Sequence, residues 1–130
     1  MVIDTSALIA ILLGEKTTAR LAQAIANDPK RLMSTMTALE TAVVIELRKG
    51  PSGGREFDLL VHRVQIETVG MNADQVKLAR EAYLRFGKGR HKAGLNLGDC
   101  CSYALARYSG EPLLFVGNDF SKTDVPAATY

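Results

Sequence analysis

Apolar positions along the chain fall into two rhythms, short runs and helical spacings, and the two alternate. Met1-Val-Ile is a brief apolar run that stops at Asp4-Thr-Ser. It predicts a strand and a turn, with Asp4 or Ser6 free to cap the helix that Ala7 to Leu13 begins. Ala19, Leu21, Ala22, Ile25 and Ala26 lie on one face of a helix over 15–26, which Asn27-Asp28-Pro29 stops. Arg31 to Thr35 reads as a second short strand. Leu39, Val43, Val44 and Leu47 then place a helix over 37–49, closed by Gly50-Pro51, and Gly53-Gly54 leads into another over 52–64. Ile66 to Val69 is β-prone, and Asn72 caps a helix running to about Phe86. A glycine- and lysine-containing loop, 87–94, precedes a helix over 100–108 that ends at Gly110. Leu113-Leu-Phe-Val116 reads as the most deeply buried strand, followed by the polar turn Gly117-Asn118-Asp119. Strands alternating with helices predict an α/β fold around a mainly parallel sheet, in one domain spanning 1–130.

Composition changes little in that picture and charge changes more. With 47% apolar residues in 130, the chain can bury a core without staples. Ala7 to Leu13 is too short to span a membrane and has no basic flank, so a cytoplasmic protein with no membrane partner is expected. Cys100 and Cys101 are neighbours within a predicted helix, a poor arrangement for a structural disulfide. The net charge is only +2, from 16 Lys and Arg against 14 Asp and Glu. If four acids are withdrawn into one site, the remaining surface is distinctly basic. That division suits a protein that holds cations in a pocket and phosphates around it.

Four acids are placed to converge. In a parallel sheet, strand C-termini and helix N-termini share one edge, and ligands bind there. Asp4 follows the first strand and Asp119 follows the last. Asp99 stands at a helix start, and Glu40 lies near the start of the helix over 37–49. Taken singly, each has an ordinary explanation: a cap for Asp4, a first-turn acid for Asp99 and Glu40, an Asx turn for Asp119. Taken together, four close carboxylates repel one another unless cations compensate them. His62 and His91 lie far apart and the cysteines are adjacent, so zinc spacing is missing and hard Mg²⁺ or Mn²⁺ is the better match. No phosphate-cradling loop occurs, and no Ser-His-Asp or Cys-His set is suggested by position.

The blocks Val2-Ile-Asp4-Thr-Ser-Ala7, Glu40 within a helix, Leu97-Gly-Asp99-Cys with Tyr103-Ala-Leu-Ala106, and Leu114-Phe-Val-Gly-Asn-Asp119-Phe occur in that order. They resemble the PIN domain, and within it the VapC-type toxins of type II toxin–antitoxin modules. The resemblance covers residues 2–124. It implies a three-layer α/β/α domain and a Mg²⁺- or Mn²⁺-dependent endoribonuclease. Such an enzyme cuts structured RNA, often tRNA, leaving a 3′-hydroxyl and a 5′-phosphate, and so arrests translation. It assigns catalysis and metal binding to Asp4, Glu40, Asp99 and Asp119, with Asp4 and Asp99 the direct ligands. Ser6 and Asp124 become supporting or phosphate-contacting residues. The resemblance further implies a homodimer, and a hetero-oligomer with a VapB-type antitoxin whose arginine pairs with the acids.

From the residues themselves, Arg85, Lys88, Arg90 and Lys92 form a basic stretch with no acid between Ala82 and Gly98, leading towards Asp99. It is either an RNA clamp or a solvated loop. The apolar helices over 7–13 and 19–26 could supply a partner surface as well as core. A non-catalytic RNA-binding or protein-interaction module of the same fold is the competing expectation. A phosphatase acting on small phosphoesters is a second, although its opening motif needs an Asp where Ser6 stands.

Overall fold

The computed structural model describes residues 1–130. Four short parallel strands form the central sheet: β1 (Val2–Ile3), β2 (Leu32–Ser34), β3 (Glu67–Val69) and β4 (Leu113–Leu114), in the order β3-β2-β1-β4. Val2 pairs with both Leu32 and Leu113, and Ile3 with Leu114. Helices α1 (Thr5–Leu12), α2 (Thr18–Asn27), α3 (Thr35–Lys49) and α4 (Pro51–Arg63) precede β3. Helices α5 (Ala73–Phe86) and α6 (Leu97–Ser109) lie between β3 and β4, and a short 3₁₀ turn covers Phe120–Lys122.

Alternation along the strands divides the core into two layers. Val2, Leu32 and Leu113 pack with α5 and α6, joined by Ala82, Phe86, Leu95, Tyr103 and Leu105. Ile3, Met33 and Leu114 face the other way, onto Leu8 of α1, Leu21 and Ile25 of α2, Ile45 of α3 and Phe57 of α4. The result is the expected α/β/α sandwich. The chain steps from β1 outward through β2 to β3, then returns to β4 on the far side of β1. The chain leaves β1 towards β2 and leaves β4 the other way, where Ala127 bridges Leu113, and the crevice between their C-terminal ends is the site such a sheet offers to a ligand.

Most element boundaries match the apolar pattern; α2 begins at Thr18 rather than residue 15 and α3 at Thr35 rather than 37, and three further departures have clear causes. Helix α6 begins at Leu97 rather than Cys100, because Asn96 caps it: the Asp99 amide donates to Asn96 Oδ1 (2.8 Å) and the Asn96 amide to Asp99 Oδ2 (3.0 Å). This reciprocal pair is a capping box, and it moves Asp99 from the helix boundary into the first turn. Helix α4 starts directly at Pro51, a residue suited to the first helical position. Gly53 sits inside α4 because a Cβ there would stand 2.8 Å from the Ile45 carbonyl oxygen of α3. Finally, β4 stops at Leu114, beyond which the Val116 amide donates to the Ser6 hydroxyl (3.0 Å) and not to a strand.

Asn72 caps α5 as its sequence position suggests, accepting from the Gln75 amide at 2.9 Å. Replacing Asn72 by Ala should lower unfolding free energy by about 1 kcal/mol, measurable as a shifted urea midpoint with an unchanged slope. An unshifted midpoint would show that the cap contributes nothing.

Candidate active site

Asp4, Glu40 and Asp99 line one open cavity of about 400 Å³, together with Thr5, Ser6, Asn96, Val116 and Glu15. Three elements deliver the acids. Asp4 is the residue that leaves β1 and caps α1. Glu40 lies in the second turn of α3, the helix that follows β2 without a linker. Asp99 is carried by the first turn of α6.

Asp4 is the most tightly held of them. It is only 3% exposed, and three donors satisfy it. The Ser6 amide (2.9 Å) and Ser6 hydroxyl (2.7 Å) donate to Oδ2, while the Ser102 hydroxyl donates to Oδ1 at 2.6 Å. Ser6 Oγ in turn accepts from the Val116 amide at 3.0 Å, so the end of β4 is tied to the same carboxylate. A carboxylate oxygen accepts about two hydrogen bonds. Oδ2 is therefore filled, and Oδ1 keeps one lone pair free on a side chain that lines the cavity. The hydroxyl of Ser6, proposed from sequence as a supporting or phosphate-contacting group, spends its proton on Asp4 and so supports.

Glu40 accepts from the Thr5 hydroxyl at 2.5 Å. It also lies hard against α6, where a Cβ on Gly98 would stand 2.5 Å from Glu40 Oε2 and 2.8 Å from Oε1. Glycine at 98 is thus what lets the Glu40 carboxylate rest on the α6 backbone beside Asp99.

The electrostatics show the cost of this convergence. Asp99 is pushed up to about 6 from an unperturbed 3.8. Burial is the largest cause. The hydrogen bond from the Asn96 amide works against it, and the negative charges of Asp4, Glu40 and Asp119 add to it. Asp119 thus acts on the cluster from outside the cavity lining. It stands exposed just before the 3₁₀ turn after β4.

The remaining sequence candidates are placed differently. Asp124 accepts from the Tyr103 hydroxyl (2.7 Å) and pairs with Arg85 (3.2 Å). The Tyr103 bond is the largest cause holding its carboxyl below the usual range, and burial together with that bond pushes Tyr103 up to about 12. Asp124 fastens the chain after the 3₁₀ turn to α5 and α6, and it is neither a lining residue of the cavity nor among the charges acting on Asp99. Arg85 is engaged in that pair and lies over the Phe86 ring, with 4.6 Å to the centroid. Lys88, Arg90 and Lys92 are exposed and enter no ion pair, although Arg90 lies 5.9 Å from the Tyr83 ring centre. Their loop is pinned at its base, where the Leu95 amide donates to the Phe86 carbonyl and the Lys88 amide to that of Leu95.

Two lining residues had no clear signal in the sequence. Glu15 follows the Gly14 turn and only the fold brings it to the cavity. Ser102 sits within a run of buried apolar residues in α6, where a serine reads as an incidental small residue. Helices α1 and α2 bury Leu8, Leu21 and Ile25 in the core; the large exposed aliphatic side chains lie instead on α3 (Leu39, Val43, Leu47), α4 (Leu59), α5 (Val76, Leu84) and at the start of α6 (Leu97).

Residues 1–126 match the PIN domain family. Ribonuclease VapC of Mycolicibacterium smegmatis is 60% identical over 127 residues, 98% of each chain. The chain is a VapC-type PIN-domain protein. Ribonuclease VapC30 of Mycobacterium tuberculosis is 57% identical to this PIN domain over 125 residues, covering 96% of this chain and 95% of that one. Two solved structures share the fold at low identity. The M. tuberculosis Sarcin-Ricin loop cleaving toxin VapC20 superposes with a TM-score of 0.77 at 19% identity, over 95% of both chains. A toxin–antitoxin complex from Klebsiella pneumoniae gives 0.73 at 16%, over 95% of this chain and 92% of that one. No helix of this PIN domain is long and apolar enough to cross a membrane.

Proposed function

We propose that this VapC-type PIN domain is a Mg²⁺- or Mn²⁺-dependent endoribonuclease that hydrolyses phosphodiesters of structured RNA, tRNA being the first candidate, and thereby inhibits translation. The observation that carries the reading is the crowding of Asp4, Glu40 and Asp99 in one cavity. Asp119 adds to their field, and burial, reinforced by these charges, makes Asp99 hold its proton up to about pH 6. Such an arrangement is unfavourable in isolation and favourable around a cation.

The donor set tests well for a hard divalent ion. Every candidate ligand is a carboxylate oxygen, and neither Cys100 nor Cys101 lines the cavity. Asp4 would offer its one open Oδ1 position, and Asp99 and Glu40 would complete the set. As placed, no three of these side chains already surround one point. Glu40 rests on Thr5 and Asp99 on the Asn96 amide, bonds that an ion in the cavity would compete with. When bound, the ion supplies a lowered proton affinity for water and charge compensation for the phosphodiester.

The chain's own residues do the rest. Asp4 is fixed before substrate arrives, so no reorganisation is needed at that carboxylate. Glu40, seated on the α6 backbone next to Asp99, would accept the proton of the attacking water at a carboxylate oxygen. Asp119 lies at the exposed rim, and Lys88, Arg90 and Lys92 offer free positive charge to the RNA backbone. The products are a 3′-hydroxyl and a 5′-phosphate. A VapB-type antitoxin would silence the site by placing an arginine among the acids, and the active toxin would be a cytoplasmic homodimer.

The test is incubation of antitoxin-free protein with total RNA and with tRNA, in Mg²⁺, in Mn²⁺ and in EDTA. Discrete fragments carrying 5′-phosphates should appear with either metal and vanish with EDTA. Intact RNA across both metals, from folded protein that still binds RNA, would favour the non-catalytic binding module instead.

A further inference from the structure

Ser102 and Thr37 form a buried polar pair behind the acids of the cavity wall. Ser102 is 0% exposed and Thr37 1%. Ser102 Oγ lies 2.6 Å from Asp4 Oδ1 and 3.1 Å from Thr37 Oγ1. A serine hydroxyl has a single proton, and the ionised carboxylate can only accept. Ser102 therefore donates to Asp4, which leaves Thr37 to donate to Ser102. The chain of protons runs one way, from Thr37 to Ser102 to Asp4.

Its placement is regular. Thr37 lies three residues before Glu40 on α3, and Ser102 three residues after Asp99 on α6. Residues three apart on a helix are neighbours on one face. The two hydroxyls thus sit one turn below the Glu40–Asp99 pair and reach under it to the third acid. Around Ser102, α6 buries Cys101, Tyr103, Ala104, Leu105 and Ala106. A hydroxyl in such surroundings costs free energy unless it is paired, and its bond to a charged acceptor offsets that cost.

We propose that Ser102, backed by Thr37, is the positioning residue that sets Asp4 as a one-point ligand for the divalent cation. The pair occupies one lone pair of Oδ1 and aims the other into the cavity, while Ser6 fills Oδ2. This rests on the metal-dependent reading above. The role lies in metal binding itself, so it can be read without RNA.

The experiment measures Mn²⁺ affinity by electron paramagnetic resonance at neutral pH, with the metal-free melting temperature recorded for each variant. Ser102→Ala should weaken Mn²⁺ binding about tenfold or more. Thr37→Val should weaken it less, Thr37→Ser should restore it towards wild type, and the double variant Ser102→Ala/Thr37→Val should bind no worse than Ser102→Ala alone. That non-additivity is the signature of a relay acting through one residue. If Ser102→Ala does not fold, the contrast between Thr37→Val and Thr37→Ser carries the same test. Lower melting temperatures with Mn²⁺ affinity within about twofold of wild type would overturn the proposal, leaving the pair a core contact. Wild-type protein that binds no Mn²⁺ would instead overturn the metal-dependent reading, and this proposal with it.

Discussion

Replacing Asp99 with Asn should cut RNA cleavage by about a thousandfold or more and, in metal-free protein, raise the melting temperature. The two effects share one cause. Ionised Asp99 is a partly buried charge that faces Asp4, Glu40 and Asp119; asparagine removes first the cost of burying that charge and then the repulsion, while its Oδ1 can still accept from the Asn96 amide. The sign follows from linkage. The folded-state value, about 6, lies above the unfolded 3.8, so the destabilisation is absent below the lower value, grows between the two and is complete above about pH 6. Discounted for solvent screening of a partly exposed side chain, it amounts to about 1–2 kcal/mol at neutral pH, or ~3–8 °C in melting temperature. Asp28 and Asp124, held below their usual range, work in the opposite direction as pH falls. The difference between wild type and Asp99→Asn isolates the Asp99 part. It should be large at pH 7 and vanish near pH 4. An equal or lower melting temperature for the variant at pH 7 would refute the penalty on ionised Asp99, and retained cleavage would remove Asp99 from the chemistry.

The second large effect is expected at a residue with no functional group. Gly98→Ala places a methyl within 2.5 Å of Glu40 Oε2. The obstacle is the end of a flexible side chain, so the fold should survive. A helical alanine also gains up to about 1 kcal/mol over glycine. The Glu40 carboxylate must then swing off α6 and away from Asp99, and cleavage should fall about a hundredfold. Melting temperature and cleavage, measured on one preparation, should move apart. Full activity in Gly98→Ala would mean that Glu40 does not need its seat on α6. A parallel drop in both would point to a misfolded α6.

How far these features are legible in the chain depends on the range of the interaction that encodes them. Helix faces, caps such as Asn72 and strands such as β2 are written in neighbouring residues, and the apolar pattern finds them. The edge on which the acids meet is legible too, since Asp4 follows β1 by one residue and chain direction in a parallel sheet does the rest. What the pattern misses is set across the fold. The start of α6 at Leu97 depends on a side-chain exchange between Asn96 and Asp99 that apolar spacing does not register. Glu15 reaches the cavity only through the Gly14 turn. Ser102 acquires its role from residues 65 and 98 positions earlier in the chain, Thr37 and Asp4. Asp124 shows the same range from the other side: its place beside the last motif suggests the site, while its contacts with Tyr103 and Arg85 are set across the fold.

The crowding of acids in the cavity has a consequence for how such a chain ages in a genome. Aspartate and asparagine codons differ by one base, and at Asp99 that change is expected to yield a better-folded protein. Selection for solubility or abundance alone, once the nuclease is no longer needed, therefore leads straight to silence. Inactive descendants should accumulate as intact, well-folded reading frames rather than as truncated ones.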